Sequence, residues 1–116
     1  MSGPSWRERV ADMLKAVDEV LSFVQGMERD AFLADRRTVV AVAFEIGVIG
    51  EAVTALPEDL RERHPEIPWR LVRSMRNRVI HQYWLLDEEI LWDTIHDDLP
   101  PFRTALVRLL AEEGQA

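Results

Sequence analysis

The sequence predicts an all-α fold: a bundle of four or five helices, up-and-down and antiparallel. Three observations predict it. Apolar residues near the N-terminus recur at three-and-four spacing, as they do on one face of a helix. A central apolar stretch of about twenty residues carries no turn signal, which is too long for one ordinary strand. No clean hairpin signal occurs anywhere in the chain.

The first helix is built on Trp6, Val10, Met13, Leu14, Val17, Leu21 and Val24, with Gly26 as its C-terminal stop. A polar link with Asp30 and Asp35 follows, and Asp35 is placed to cap the next helix, from Arg36 to about Leu56. There propensity and length disagree. VVAVAFEIGVIG is rich in β-branched residues and by propensity alone favours a strand, whereas its length favours a helix. It is apolar nearly all round from Val39 to Ile49, so it is expected to be a central helix buried by neighbours or by a second subunit.

Pro57 can open a short turn, PEDLRERH. The two prolines of HPEIPW make the next link irregular. A third long helix is expected from about Pro68 through residue 84. Asp87 can cap a fourth helix on Ile90, Leu91 and Ile95; Asp98, Pro100 and Pro101 read as a stop and a new start. A last helix carries Phe102, Leu106, Leu109 and Leu110 and ends before Gly114. One domain is expected over residues 5–114, with residues 1–4 disordered.

With 47% hydrophobic and 30% charged residues, the chain has the composition of an ordered globular protein. Its start has no apolar core of a signal peptide, and its most apolar stretch is too short to span a bilayer. It has no cysteine, which removes disulfides and thiolate metal sites and suits a reducing cytoplasm. A net charge of −7 argues against a protein coated with nucleic acid, but leaves room for a local basic pocket. No zinc-protease HExxH, P-loop, nucleophile elbow or dinucleotide fingerprint is present, so no metal and no cofactor is expected.

Against that acidic background MRNRVIHQYW, residues 75–84, stands out: two arginines, an asparagine, a histidine, a tyrosine and a tryptophan. On an ideal helix over residues 69–84, Leu71, Val72, Met75 and Val79 form the core face, and Arg70, Ser74, Asn77 and His81 lie opposite. Between them runs a strip of Arg73, Arg76, Ile80, Tyr83 and Trp84. Arg76 and His81 are then roughly 140° apart, at the two edges of a wide face. Ile80 and Trp84, apolar among charges, suggest a contact surface, and a dimer packed there would bring two copies of Arg76 and His81 into one cleft.

This pair has a chemical use. RNA phosphodiester cleavage needs the 2′-hydroxyl deprotonated and the leaving oxygen protonated, and histidine can do either near neutral pH. Arginine grips phosphate oxygens bidentately, and Asn77 can orient the imidazole or bind phosphate. An arginine and a histidine five residues apart also occur by chance in many helices. Trp6, Trp69 and Trp92 are expected in the core, and His64 and His96 in solvent. Glu45 and Glu51, in an apolar helix, are expected to pair with Arg73 or Arg76 or to line a dimer cleft.

Arg76-Asn77-Arg78-Val79-Ile80-His81-Gln82-Tyr83 resembles the R-x4-H-x-Y motif of HEPN-domain proteins, in particular the HepT-type toxins. Five ordered blocks extend the resemblance over almost the whole chain: FLADRRT (32–38), IGEA (49–52), LPEDLRERHPEIPWR (56–70), MRNRVIH (75–81) and LLDEEILWDTIHDDLPP (85–101). The resemblance implies a HEPN-type bundle, usually a homodimer with the motif at its interface. It implies a metal-independent endoribonuclease that arrests growth, with RNA as substrate. It also implies an MntA-type nucleotidyltransferase antitoxin that adds AMP to the motif tyrosine. Arg76 and His81 would then be catalytic, Asn77 and Arg73 supporting or phosphate-binding, and Tyr83 the modification site. Gln82 replaces a common glycine, and Glu45 and Gly47 stand where asparagine and glutamate are frequent. Some HEPN proteins are inactive or bind nucleotides, so a non-catalytic subunit of a nucleotidyltransferase complex is the alternative.

Overall fold

The computed structural model describes residues 5–82 and 85–114, and of residues 76, 78–82 and 85 the backbone alone. Among the described residues the order is α1 Trp6–Phe23, α2 Arg29–Ala34, α3 Arg36–Thr54, α4 Glu58–Arg63, α5 Trp69–Val79, β1 Ile80–Gln82, β2 Leu85–Leu86, α6 Glu88–Asp93, a π-helical turn Thr94–Asp98 and α7 Leu99–Gly114. The fold is an all-α bundle. Its main rods are α1, α3, α5 and the continuous run from α6 through the π-turn into α7.

α1 starts where a capping box satisfies its first amides: Glu8 N donates to Ser5 Oγ at 3.2 Å, and Ser5 N donates back to Glu8 Oε1 at 3.4 Å. Its Val10, Met13 and Val17 are buried, as the spacing predicts, and so are Ala16 and Val20, while Leu14 and Leu21 are half-buried. Gly26, at φ 78°, takes the left-handed conformation that ends the turn after the helix. The link thought merely polar contains α2, which buries Phe32 with its ring centroid 5.2 Å from that of Trp92.

Asp35 caps α3, accepting from Thr38 N at 3.2 Å and from Thr38 Oγ1 at 2.8 Å. α3 is the helix its length demanded. α1 and α5 pack against it, and Val39, Val42, Ala43, Ile46, Ile49, Gly50, Ala52 and Val53 are buried. Burial wins over the strand propensity of the β-branched residues. It is not buried all round, however: Val40 and Phe44, one turn apart, are exposed, Phe44 by 70%. At Gly50 α5 comes close, since a Cβ there would lie 3.3 Å from the Arg73 carbonyl oxygen.

α5 departs from the expected helix over 69–84. It ends at Val79, and Ile80–Gln82 continue as β1, paired antiparallel with β2 through Ile80 opposite Leu86 and Gln82 opposite Leu85. The run VIHQYWLL is β-branched and aromatic, so local propensity decides at the end of a helix where packing did not in α3. The helical-wheel placement of residues 80–82 therefore does not apply. Within α5, Val72 and Met75 are buried as expected, but Leu71, assigned to the core face, is 40% exposed at its edge.

The expected stop near Asp98 and Pro100 is also absent. Widening to π geometry over Thr94–Asp98 relieves the clash a proline ring would make with the preceding turn, and the rod continues through Pro100 and Pro101. Trp69 is buried, with Trp6 and Trp92 half-buried against the core.

Candidate nucleic-acid interface on α5

α5 carries Arg70, Arg73, Arg76 and Arg78 and no acidic residue. Its N-terminal end is fixed. Trp69 Nε1 donates to the His64 carbonyl at 3.1 Å, and the Trp69 ring meets Phe102 of α7 edge-on at 6.5 Å between centroids. Val72 and Met75 bury the inner face, and the close approach at Gly50 sets the distance to α3. On the outer face Arg70, Arg73 and Asn77 are exposed, within one stripe of the helix. Neither arginine has an ion-pair partner among the described residues, which leaves both guanidiniums available to an external anion.

Of the residues singled out in the sequence, Arg73 and Asn77 lie one turn apart on this outer face. Arg76 belongs to α5, in the turn before the helix ends, and His81 is the middle residue of β1. The motif thus spans a helix-to-strand junction rather than a single helix face. The side chains of Arg76 and His81, the strip through Ile80 and Trp84, and all of Tyr83 lie outside the described residues.

Among the described residues neither Glu45 nor Glu51 forms the expected pair with Arg73, and the Arg76 side chain lies outside them. Glu51 is exposed. Glu45 faces Glu19 of α1; burial, with a hydrogen bond and charge repulsion from Glu19, raises its pKa to about 7, against the opposing pull of Lys15. One proton shared between two carboxyl groups satisfies the pair near neutral pH.

His64, expected in solvent, is buried instead. Its Nε2 lies 2.6 Å from Glu113 Oε2. Arg63 Nη2 and Nε donate to the same carboxylate at 3.0 and 3.2 Å. Hydrogen bonds from Arg63 and His64 hold the Glu113 pKa down at about 2, and Glu113 in turn raises that of His64. No short stretch of the sequence signals this burial, since the partner Glu113 lies 49 residues from His64. His96 is exposed as expected, its ring tilted 42° against Trp92 with 3.9 Å between centroids.

A family model described as ribonuclease HepT-like matches residues 13–109, a span that includes Arg73, Arg76, Asn77, His81 and Tyr83. The chain belongs to the HepT-like ribonuclease family. "Probable ribonuclease HepT" of Thermococcus cleftensis is 33% identical over 105 residues, covering 90% of this chain and 96% of the relative. A protein of Methanocaldococcus jannaschii named as an RNase is 37% identical over 89 residues, 77% of this chain and 74% of its own. No solved structure matches. Membership of the HepT-like family carries the enzyme class expected from the sequence, ribonuclease. Among the described residues no helix of this HepT-like chain is long and apolar enough to cross a membrane.

Proposed function

We propose that the chain is the toxin of a HEPN/MNT toxin–antitoxin system, a cytoplasmic endoribonuclease that cuts RNA without a metal ion. The observation that carries this reading is the family match over residues 13–109 with Arg76-x4-His81-x-Tyr83 intact inside it. Arg70 and Arg73 of α5, exposed and without an ion-pair partner among the described residues, supply local positive charge in a chain of net charge −7.

His81 removes the proton of the 2′-hydroxyl as that oxygen attacks the adjacent phosphorus. The 5′-oxygen leaves with a proton, donated by the His81 of a second subunit, and a 2′,3′-cyclic phosphate remains. Arg76 holds the non-bridging phosphate oxygens as charge builds on them, and Arg73 and Asn77 grip the flanking backbone. Exposed Val40 and Phe44 on α3 support a homodimer, since an apolar pair one turn apart is a natural contact.

The antitoxin is an MntA-type nucleotidyltransferase. The Tyr83 hydroxyl attacks the α-phosphorus of ATP, pyrophosphate leaves, and the AMP on Tyr83 competes with RNA phosphate for arginine.

The test is cleavage of RNA in EDTA with end-group analysis. Cyclic phosphate ends are expected, and Arg76→Ala and His81→Ala should each abolish cleavage. Cleavage that stops in EDTA while the protein stays folded would overturn the mechanism. For the tyrosine, intact-mass measurement after incubation with ATP and the partner should show an AMP-sized gain that Tyr83→Phe loses.

A further inference from the structure

We propose that His64, Glu66 and Glu112 form a binding site for one divalent transition-metal ion of the zinc class, which staples the α4–α5 link to the last turn of α7. One donor atom from each residue lies within 4.8 Å of the others. The acidic groups alone would carry nothing; what points to a ligand is the histidine between them. The His64 side chain is only 8% exposed, and its Nδ1 is aimed at Glu66 Oε2 at 3.4 Å and Glu112 Oε1 at 3.7 Å. Both distances exceed those of a good N–H···O bond, about 2.7–3.2 Å. The first is close to the separation of two ligands on a tetrahedral ion with bonds of about 2.0–2.1 Å, about 3.3 Å, and the second is longer, so exposed Glu112 would close in as the ion binds.

The other ring nitrogen is arranged as a metal-binding histidine requires. Nε2 is 2.6 Å from Glu113 Oε2, and Arg63 fixes that carboxylate through both of its oxygens. A carboxylate there accepts the Nε2 proton, so the lone pair stands on Nδ1, facing Glu66 and Glu112. Those two carboxylates have no other side-chain partner among the described residues. They are 58% and 55% exposed, so an ion and its remaining water ligands have access from solvent. One imidazole with two carboxylates suits zinc and its neighbours rather than magnesium, which prefers oxygen ligands alone.

The role would be structural. From Trp69, at the site's end of α5, the helix rises about 10 Å to Arg76, the first residue of the R-x4-H motif. The inference therefore stands apart from the proposed cleavage mechanism, and its test reads binding and melting rather than RNA.

Strip the full-length protein with chelator, remove the chelator, and titrate with Zn2+ by calorimetry, with Mg2+ as the control. One ion per chain and a raised Tm are expected with Zn2+, and neither with Mg2+. Glu66→Gln and Glu112→Gln change exposed residues and should leave the metal-free Tm near wild type, yet each should weaken Zn2+ binding at least tenfold. Absence of Zn2+ binding, or affinity unchanged in the double variant E66Q/E112Q, would overturn the proposal, the latter by placing the ion elsewhere.

Discussion

The two ends of α5 use arginine and histidine in opposite ways. At its N-terminal end Arg63 and His64 converge on one carboxylate, Glu113, and the His64 ring is buried beneath the chain. Further along the helix Arg70 and Arg73 lie exposed on the outer face with no ion-pair partner among the described residues, and at its C-terminal end the helix gives way to a strand within the motif. Saturating a basic group with carboxylates fixes structure but removes it from any external anion. Leaving it unpaired in an acidic protein costs solubility nothing and reserves it for phosphate. Residue type alone does not tell an arginine held by carboxylates from one left exposed.

The largest effect should separate the two ends outright. His81→Ala and Arg76→Ala should lower RNA cleavage by at least about 100-fold, the scale of a lost acid–base or charge-stabilising group, with an unchanged far-UV circular dichroism spectrum. A parallel rate and melting measurement checks both halves of that statement.

Next, the packing that carries the motif can be strained from its far side. Gly50→Val would drive a side chain into the Arg73 backbone, where even a Cβ would sit at 3.3 Å. A loss of about 1–3 kcal/mol in urea unfolding is expected, as for other overpacked sites, together with reduced cleavage because α5 must shift. Unchanged stability would mean that the approach of α5 to α3 is looser than it stands here.

The unpaired arginines should be felt through salt. In a His81→Ala background, which binds without cutting, Arg73→Ala should weaken RNA binding and reduce the slope of log affinity against log salt by about 0.7. The same substitution at Arg63, saturated by Glu113 and Asp59, should leave that slope alone.

These expectations rest on features of uneven legibility. The amphipathic spacing of α1, the caps at Asp35 and Asp87 and the length of α3 were readable because each is a local signal that its neighbours reinforce. The end of α5 was not, because residues 79–86 have an apolar and polar mixture that can be drawn on a helical wheel while their propensity is for strand. Nor was the π-turn, since two prolines ordinarily stop a helix and only a local widening carries it past them. The motif itself was legible as a pattern, whereas the burial of His64 depends on Glu113, 49 residues away, and no short window contains both.

The smallest effect concerns the Glu19–Glu45 pair. Glu45 titrates near 4.5 when unfolded and about 7 when folded. The folded state thus holds its proton longer, and wild-type stability should fall as pH rises through that window. Glu45→Gln should flatten this part of the profile and stabilise the protein at pH 8 by about 1 kcal/mol, allowing for solvent screening. Thermal melts of both proteins between pH 4 and 8 would show it.

The central claim, that one end of α5 holds the fold while the other does the chemistry, is tested most directly by measuring cleavage in EDTA and Tm for His81→Ala and Glu113→Gln side by side. The account predicts a His81→Ala protein that melts like wild type and does not cut. It predicts a Glu113→Gln protein that melts earlier and, well below its Tm, still cuts at close to the wild-type rate. A His81→Ala protein that still cuts, or a folded Glu113→Gln protein that does not, would contradict it.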